Sequence, residues 1–401
     1  MKAAEGQAAA DRRAWRGAGL GGPPSLNAQD LALLAGLPGP FVRWYKDNAR
    51  DLPWRKSREP YRVWLSEIML QQTRAEAAKG HYLRFLEALP DIRALALADE
   101  ETVNKLWEGL GYYRRALNLH RAAQIVVRDM GGEFPSTYEG VMSLPGIGDY
   151  TAGAIASICF GLPKPAADGN VFRLLARILD SGESIDRPAF RKRIRAGLEA
   201  VMTEAAAEDG AGFDAGAFNQ SLMEAGATLC LPKGMPRCGR CPAKPFCRSL
   251  RSGRAELLPV RDLRKARRAE ERTVLILRTE AGGDAASASG RIALRRRGEK
   301  GLLAGLWELP NTAGRLNPDE ALALAASWGA KPLALERAAE RVHVFSHIEW
   351  RMTGYVILCE EAEEGGAVGA EAPLLWTTSQ AREKAFPLPS AFRVFLEETQ
   401  E

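Results

Sequence analysis

Four of the chain's six cysteines, Cys230, Cys238, Cys241 and Cys247, fall within eighteen residues, and nothing else in the sequence limits the fold as strongly. No secretory signal precedes them, so the cluster predicts a metal-binding loop rather than a disulfide framework. Four thiolates spaced Cys-x7-Cys-x2-Cys-x5-Cys make either a zinc site or a cubane iron–sulfur cluster. Chemistry alone leans slightly to zinc, although the uneven spacing is unlike the paired knuckles of a zinc ribbon. Lys233, Arg237, Arg240 and Lys244 interleave the cysteines, giving a basic loop suited to phosphate. Cys159 and Cys359 stand alone in apolar segments and read as small core residues.

The 401 residues exceed one ordinary core, which predicts two globular domains. No apolar run reaches the roughly 18–20 residues of a membrane span. The net charge of +5 permits a polyanionic partner without requiring one. Residues 1–28 are rich in Ala, Gly and Arg and read as a disordered tail. Glu5 and Asp11 spoil the acid-poor pattern of a transit peptide. Residues 29–225 carry helical periodicity, with Trp64, Leu65, Ile68 and Met69 on one face and a capping-box spacing at Ser136 and Glu139. The cysteine loop takes 226–250. Residues 251–270 form a basic linker with Arg251, Arg254, Arg261, Arg264, Lys265, Arg267 and Arg268. From 271 to 398 the texture becomes α+β. Strands are expected at Thr273–Leu277, Arg291–Leu294, His343–Phe345 and Tyr355–Cys359, and a helix over Pro318–Trp328.

Three tracts carry chemistry. In Leu144-Pro-Gly-Ile-Gly148, Pro145 stops one helix, Gly146 and Gly148 permit positive φ and close backbone approach, and a second helix starts near Asp149. Its free N–H groups can grip a phosphate without reading sequence, although a plain helical corner has the same outline. Glu67 lies in the apolar run Val63-Trp-Leu-Ser-Glu-Ile-Met69, where desolvation would raise its pKa and keep it protonated near neutrality. Asp168, in Ala167-Asp-Gly-Asn-Val171, is either a simple turn residue or a carboxylate kept ionised at a helix start. Two carboxyl groups in different environments are what cleavage of a glycosidic bond requires. Gly109-Leu-Gly-Tyr-Tyr113 would let an aromatic side chain, Tyr112, approach DNA closely.

The tract Leu144-Pro-Gly-Ile-Gly-Asp-Tyr-Thr151 resembles the helix–hairpin–helix of the base-excision glycosylases related to endonuclease III. Tyr61-Arg-Val-Trp-Leu-Ser-Glu-Ile-Met-Leu-Gln-Gln-Thr73 resembles the signature of the adenine DNA glycosylases, the MutY family. The resemblance implies a multidomain protein. An all-α helix–hairpin–helix glycosylase domain with an iron–sulfur cluster loop would precede a C-terminal α+β Nudix-like domain. It makes Glu67 the acid that protonates adenine, chiefly at N7, and Asp168 the carboxylate that steadies C1′ of the sugar, with Tyr150 and Asn170 in support. Arg50, Trp54 and Arg55 would lie near the adenine pocket, Gln220 would hydrogen-bond the base, and Tyr112 with Gln72 would fill the opened duplex. Strand-cutting relatives carry a catalytic lysine two positions after the last hairpin glycine. Here that position is Tyr150, which cannot form a Schiff base, so base removal without efficient strand cleavage is expected.

The resemblance also points to a [4Fe-4S] cluster on the four cysteines, although the family loop has six residues in the first gap and this one has seven. Gly301-Leu-Leu-Ala-Gly-Leu-Trp-Glu-Leu-Pro310 and the strands after it resemble the family's Nudix-like recognition domain. Gly314 and Glu320 fit half of the magnesium motif of active Nudix hydrolases, but Trp328 and Gly329 replace its Arg-Glu pair, so a binder is expected. Phe345-Ser346-His347 matches the family loop that contacts 8-oxoguanine. The implied partner is double-stranded DNA holding adenine opposite 8-oxoguanine or guanine. The protein would be a monomer with no membrane contact, cytoplasmic at the nucleoid in a bacterium, nuclear or mitochondrial in a eukaryote. Two rivals share the scaffold: a bifunctional glycosylase/lyase acting on damaged pyrimidines, and a non-catalytic iron–sulfur DNA-binding sensor.

Overall fold

The computed structural model describes residues 26–209, 212–263, 266–280, 290–360 and 373–396. Nearly all of the expected tail, and Arg264 and Lys265 of the linker, lie outside the described residues. Leu26 is already buried, and Asn27 caps the helix Ala28–Ala35 by accepting the Asp30 N–H at 2.8 Å. Two compact units are distinguished. One holds residues up to Leu86, Pro90–Ala96 and Arg121–Leu263; the other holds Glu87–Leu89, Leu97–His120 and everything from 264 onward.

The first unit is helical. Helix α1 (Pro60–Leu70) starts where Glu59 accepts the Tyr61 and Arg62 N–H groups and Pro60 pre-sets the first turn. Every residue from Val63 to Met69 is buried, so α1 is enclosed on all sides rather than along the single stripe its periodicity suggests. Helix α2 (Asp149–Phe160) is small-residue rich and buried from Thr151 to Ile158. Helix α3 (Gly169–Ile178) is capped by Asp168 and buried from Val171 to Ile178. Helix α4 (Ala215–Thr228) is capped by Asp214. At Gly226 of α4 an added Cβ would lie 2.7 Å from Asn170 Cβ and 2.9 Å from its carbonyl oxygen. Only glycine lets α4 reach the start of α3 so closely. Phe172, Phe190, Phe218, Leu175 and Ile194 fill the core between these helices. The cap of the helix Tyr138–Met142 is Thr137, not Ser136. Its hydroxyl accepts the Gly140 N–H, while Glu139 sits in the first turn.

Among the described residues, the second unit is built on a seven-stranded mixed sheet. Its strands are β1 (Arg268–Arg278), β2 (Arg291–Arg296), β3 (Trp307–Glu308), β4 (Asn311–Ala313), β5 (Pro332–Val344), β6 (Ile348–Cys359) and β7 (Leu375–Thr378). The order β3-β2-β1-β6-β5 has β1 and β6 parallel along their length, from Arg268 opposite Ile348 to Arg278 opposite Leu358. One sheet face packs Val274, Ile276 and Trp350 against Phe392 and Phe395, and the other packs Leu275, Leu277 and Ile357 against α5 (Pro318–Ser327). The expected strand at His343–Phe345 is the end of a thirteen-residue strand, and Phe345 lies just beyond it. β1 starts at Arg268, within the stretch expected to be linker. A reciprocal capping box opens α5: Asn317 accepts the Glu320 N–H at 2.9 Å and Glu320 accepts the Asn317 N–H at 2.8 Å. Glu320 therefore spends its carboxylate on the helix, while Trp328 ends it with the Arg295 guanidinium 4.9 Å from its ring. No helix among the described residues is long and apolar enough to cross a membrane.

Candidate active site

Glu67, from the middle of α1, is buried, and the Tyr150 hydroxyl from the first turn of α2 donates to its Oε2 at 2.8 Å. Burial pushes the Glu67 carboxyl up to about 7; the nearby Asp168 charge adds to this, while the Tyr150 hydrogen bond and the Arg55 charge oppose it. Tyr150 feels both carboxylates, and burial lifts its phenol well above the ordinary range, so it stays a neutral donor. Glu67 and Asp168, 101 positions apart in the chain, thus interact electrostatically, and both act on Tyr150.

Half-buried Asp168 gathers a dense set of donors. Its Oδ1 accepts the Asn170 N–H at 2.9 Å and the Val171 N–H at 2.8 Å, and its Oδ2 accepts the Asn170 side-chain amide at 2.7 Å. The helix-start placement expected of it is present. Burial nevertheless raises its pKa, an effect absent from the simple helix-start picture, with those hydrogen bonds and Arg173 pulling the other way.

Sequence reasoning missed three charged residues: Glu224 and Arg173, which brace the groups around the two carboxyls, and Arg177, which reaches the cysteine loop. Glu224 of α4 is buried, and it takes Arg50 Nε at 2.6 Å, Arg50 Nη2 at 2.8 Å and Arg55 Nη2 at 2.7 Å. These two arginines hold its carboxyl down at about 2 despite burial. Arg55 also lies over the Tyr45 ring, and the Tyr45 hydroxyl donates to Gln220 Oε1 at 3.0 Å. Arg173 donates to Asn170 Oδ1 and to the backbone of Gly226 and Cys230, each at 2.8 Å. Arg177 donates to Cys230 Sγ at 3.2 Å and to Leu231 O at 2.8 Å. The one available signal was two arginines four apart in the otherwise apolar run Val171–Ile178. Trp54 packs edge-on against Tyr82, 5.5 Å between ring centres, as a core aromatic.

The hairpin has Gly146 at φ +79°, the left-handed turn that glycine supplies. Gly148 differs from expectation. Its φ is −116°, ordinary extended backbone, and it caps α2 without any side chain. Its value is openness: nothing lies within 4 Å of where a Cβ would stand.

Cys230, Cys238, Cys241 and Cys247 line one cavity together with Leu174, Ile178, Leu229 and Arg177. Among the described residues, no three His, Cys, Asp or Glu side chains are gathered tightly enough to hold a single metal ion. A mostly apolar wall carrying four thiols and an Arg N–H to sulfur fits a thiolate-held group. Cys359 is buried as expected, and Cys159 is half-buried.

Gln72 and Tyr112 are both exposed and both hold positive φ, +60° and +49°. They are two of only four described non-glycine residues in that region, a strain that functional positions often carry. Tyr112 belongs to the second unit, where Arg115 donates to Leu110 O at 2.9 Å and Gly111 O at 3.0 Å and Trp107 donates to Gly111 O at 3.1 Å. The same unit carries the turn Phe345-Ser346-His347. There Phe345 is half-buried, Ser346 and His347 are exposed, and the Ser346 hydroxyl lies 3.1 Å from His347 Nδ1.

Residues 65–199 match the family described as HhH-GPD superfamily base excision DNA repair protein, and residues 285–398 match a NUDIX domain. The mouse adenine DNA glycosylase is 32% identical, the match covering 86% of this chain and 75% of that one. The chain belongs to the adenine DNA glycosylase family. The human adenine DNA glycosylase is 33% identical over 83% of this chain and 68% of that protein. A solved structure titled as a thermostable thymine-DNA glycosylase aligns with a TM-score of 0.47 at 24% identity, over 56% of this chain and 98% of that one.

Proposed function

We propose that this adenine DNA glycosylase releases adenine paired with 8-oxoguanine or guanine in duplex DNA, without efficient strand cleavage. The observation that carries the reading is the Glu67–Tyr150–Asp168 set, in which the buried Glu67 carboxyl is pushed up to about 7. An acid poised there gives its proton to adenine N7 near neutrality. The C1′–N9 bond breaks with its electron pair leaving on the base, and the ionised Asp168 steadies the cationic sugar. Water then adds at C1′ and its surplus proton passes to a carboxylate, leaving free adenine and an abasic site. Asn170 holds Asp168 in place, and the Glu224 pair with Arg50 and Arg55 fixes the pocket wall. Tyr150 offers no amine for sugar capture.

The base must leave the stack first, with Tyr112 and Gln72 entering the gap and Gly146 and Gly148 taking phosphate through backbone N–H groups. Phe345, Ser346 and His347 contact the opposite purine. Cys230, Cys238, Cys241 and Cys247 would hold a [4Fe-4S] cluster, which when bound orders the loop and presents its basic residues. One oligonucleotide panel tests the reading: adenine opposite 8-oxoguanine, guanine and thymine, assayed with and without alkali. Release opposite the first two, with breaks only after alkali, is expected. Release independent of the opposite base, or breaks without alkali at the rate of base release, contradicts it.

A further inference from the structure

The turn between β5 and β6 has a firmly held backbone. The Phe345 N–H donates to Ile348 O at 2.8 Å, Arg267 Nε donates to Phe345 O at 3.1 Å, and the Arg268 N–H donates to His347 O at 3.2 Å. The Phe345 ring packs against the core of this sheet face and makes edge contacts to His343 at 4.6 Å and to Trp350 at 4.8 Å. Trp350 is almost fully buried. Its indole N–H donates to Glu270 Oε2 at 3.1 Å, and Phe392 stands 6.0 Å away. On the Trp350 ring lies the Arg272 guanidinium, 4.3 Å from the centroid.

Arg272 is unusual for a half-buried arginine. It makes no ion pair among the described residues, and its Nε has no partner; it bonds only the side-chain oxygen of Asn311. Two acids lie nearby and both are engaged elsewhere: Glu308 by Arg297 and Arg295, and Glu270 by Arg268 and the Trp350 indole. A desolvated charge with so few polar partners is compensated by the π face beneath it. With the Arg272 guanidinium over its ring, the Phe345 edge against it and its N–H tied to Glu270, the indole, and through it Phe345, has little freedom to rotate.

We propose that Arg272 and Trp350 are positioning residues for recognition of the purine opposite adenine, setting the Phe345 ring against it before DNA arrives. This rests on the reading of Phe345-Ser346-His347 given above. The quantity that reports it is the ratio of single-turnover adenine release opposite 8-oxoguanine to that opposite guanine, measured on the full chain. Arg272→Gln should lower the ratio at least about tenfold, or roughly 1.4 kcal/mol, and Arg272→Lys, which keeps the charge without the planar guanidinium, should lower it less. Trp350→Phe, which keeps an aromatic edge, should also lower it less. Thermal unfolding follows the fold in each variant. A purely structural role would slow release from both duplexes alike and leave the ratio unchanged, which overturns the proposal. Phe345→Ala separates the two layers. If it lowers the ratio while Arg272→Gln and Trp350→Phe stay within twofold of the parent, the positioning role alone fails. If Phe345→Ala itself leaves the ratio intact, the turn's recognition role fails and this inference with it. Should Arg272→Gln not fold, the Arg272→Lys and Trp350→Phe ratios decide by the same twofold criterion.

Discussion

Glu67 is buried in the first unit with Tyr150 and Asp168 half-buried beside it, whereas Ser346 and His347 stand exposed at a turn of the second. In the first region, removal from water is itself the device: it lifts one carboxyl to about 7 and forces the other to gather three hydrogen bonds. In the second, water remains in contact with the polar groups, and their placement on a fixed backbone carries the work. The interior tunes proton affinity; the turn tunes position. Substitutions should therefore act differently in the two regions, through rate and pH in one and through discrimination between partners in the other.

The largest expected effect lies in the pocket. Glu67→Gln removes the transferable proton, and single-turnover adenine release should fall about 10²–10⁴-fold with DNA affinity retained. A loss smaller than about tenfold would erase the contrast between the regions. Next comes Ser346→Ala combined with His347→Ala, which should bring the 8-oxoguanine to guanine ratio close to one and leave the pH dependence of release untouched. A shifted pH profile in that variant would mean the turn is not merely positional. Glu224→Gln should destabilise by about 2–4 kcal/mol, because Arg50 and Arg55 then lose their buried anion. Calorimetric unfolding reads this, and an unchanged Tm would remove Glu224 from the pocket's framework. The same residue predicts an acid limb. Its pKa is held down at about 2, so its contribution is present above the ordinary carboxylate range and is lost as pH falls towards 2. Smallest is Gly226→Ala, where the added methyl meets Asn170. It should cost about 1–3 kcal/mol and slow release through a displaced Asp168 cap; a fully active, equally stable variant would show that α3 and α4 can part freely.

Legibility in the sequence followed the same division. Glu67 stood out because a lone acid amid Trp64, Leu65, Ile68 and Met69 has no solvated face to occupy, and Asp168 because Asp-Gly-Asn opens an apolar run. Glu224 left no such trace: Arg50 and Arg55 are about 170 positions away, and only the packing of α4 brings them together. Gly148 was misjudged because glycine signals either a left-handed turn or open space, and composition does not say which. β5 was shortened to its last residues because most of the strand is exposed at the sheet edge. Without a buried face it shows no alternation of apolar and polar side chains. Arg272, by contrast, reads as one more surface charge until Trp350 is found beneath it.

The pH dependence of single-turnover adenine release opposite 8-oxoguanine bears most directly on the pocket. With Glu67 at about 7, the rate should hold on the acid side and drop about tenfold per pH unit above that value, and Glu67→Gln should abolish the alkaline limb. A rate that stays flat from pH 6 to about pH 9 in the parent protein would contradict a proton held at Glu67, and with it the account of how the buried pair cleaves the bond.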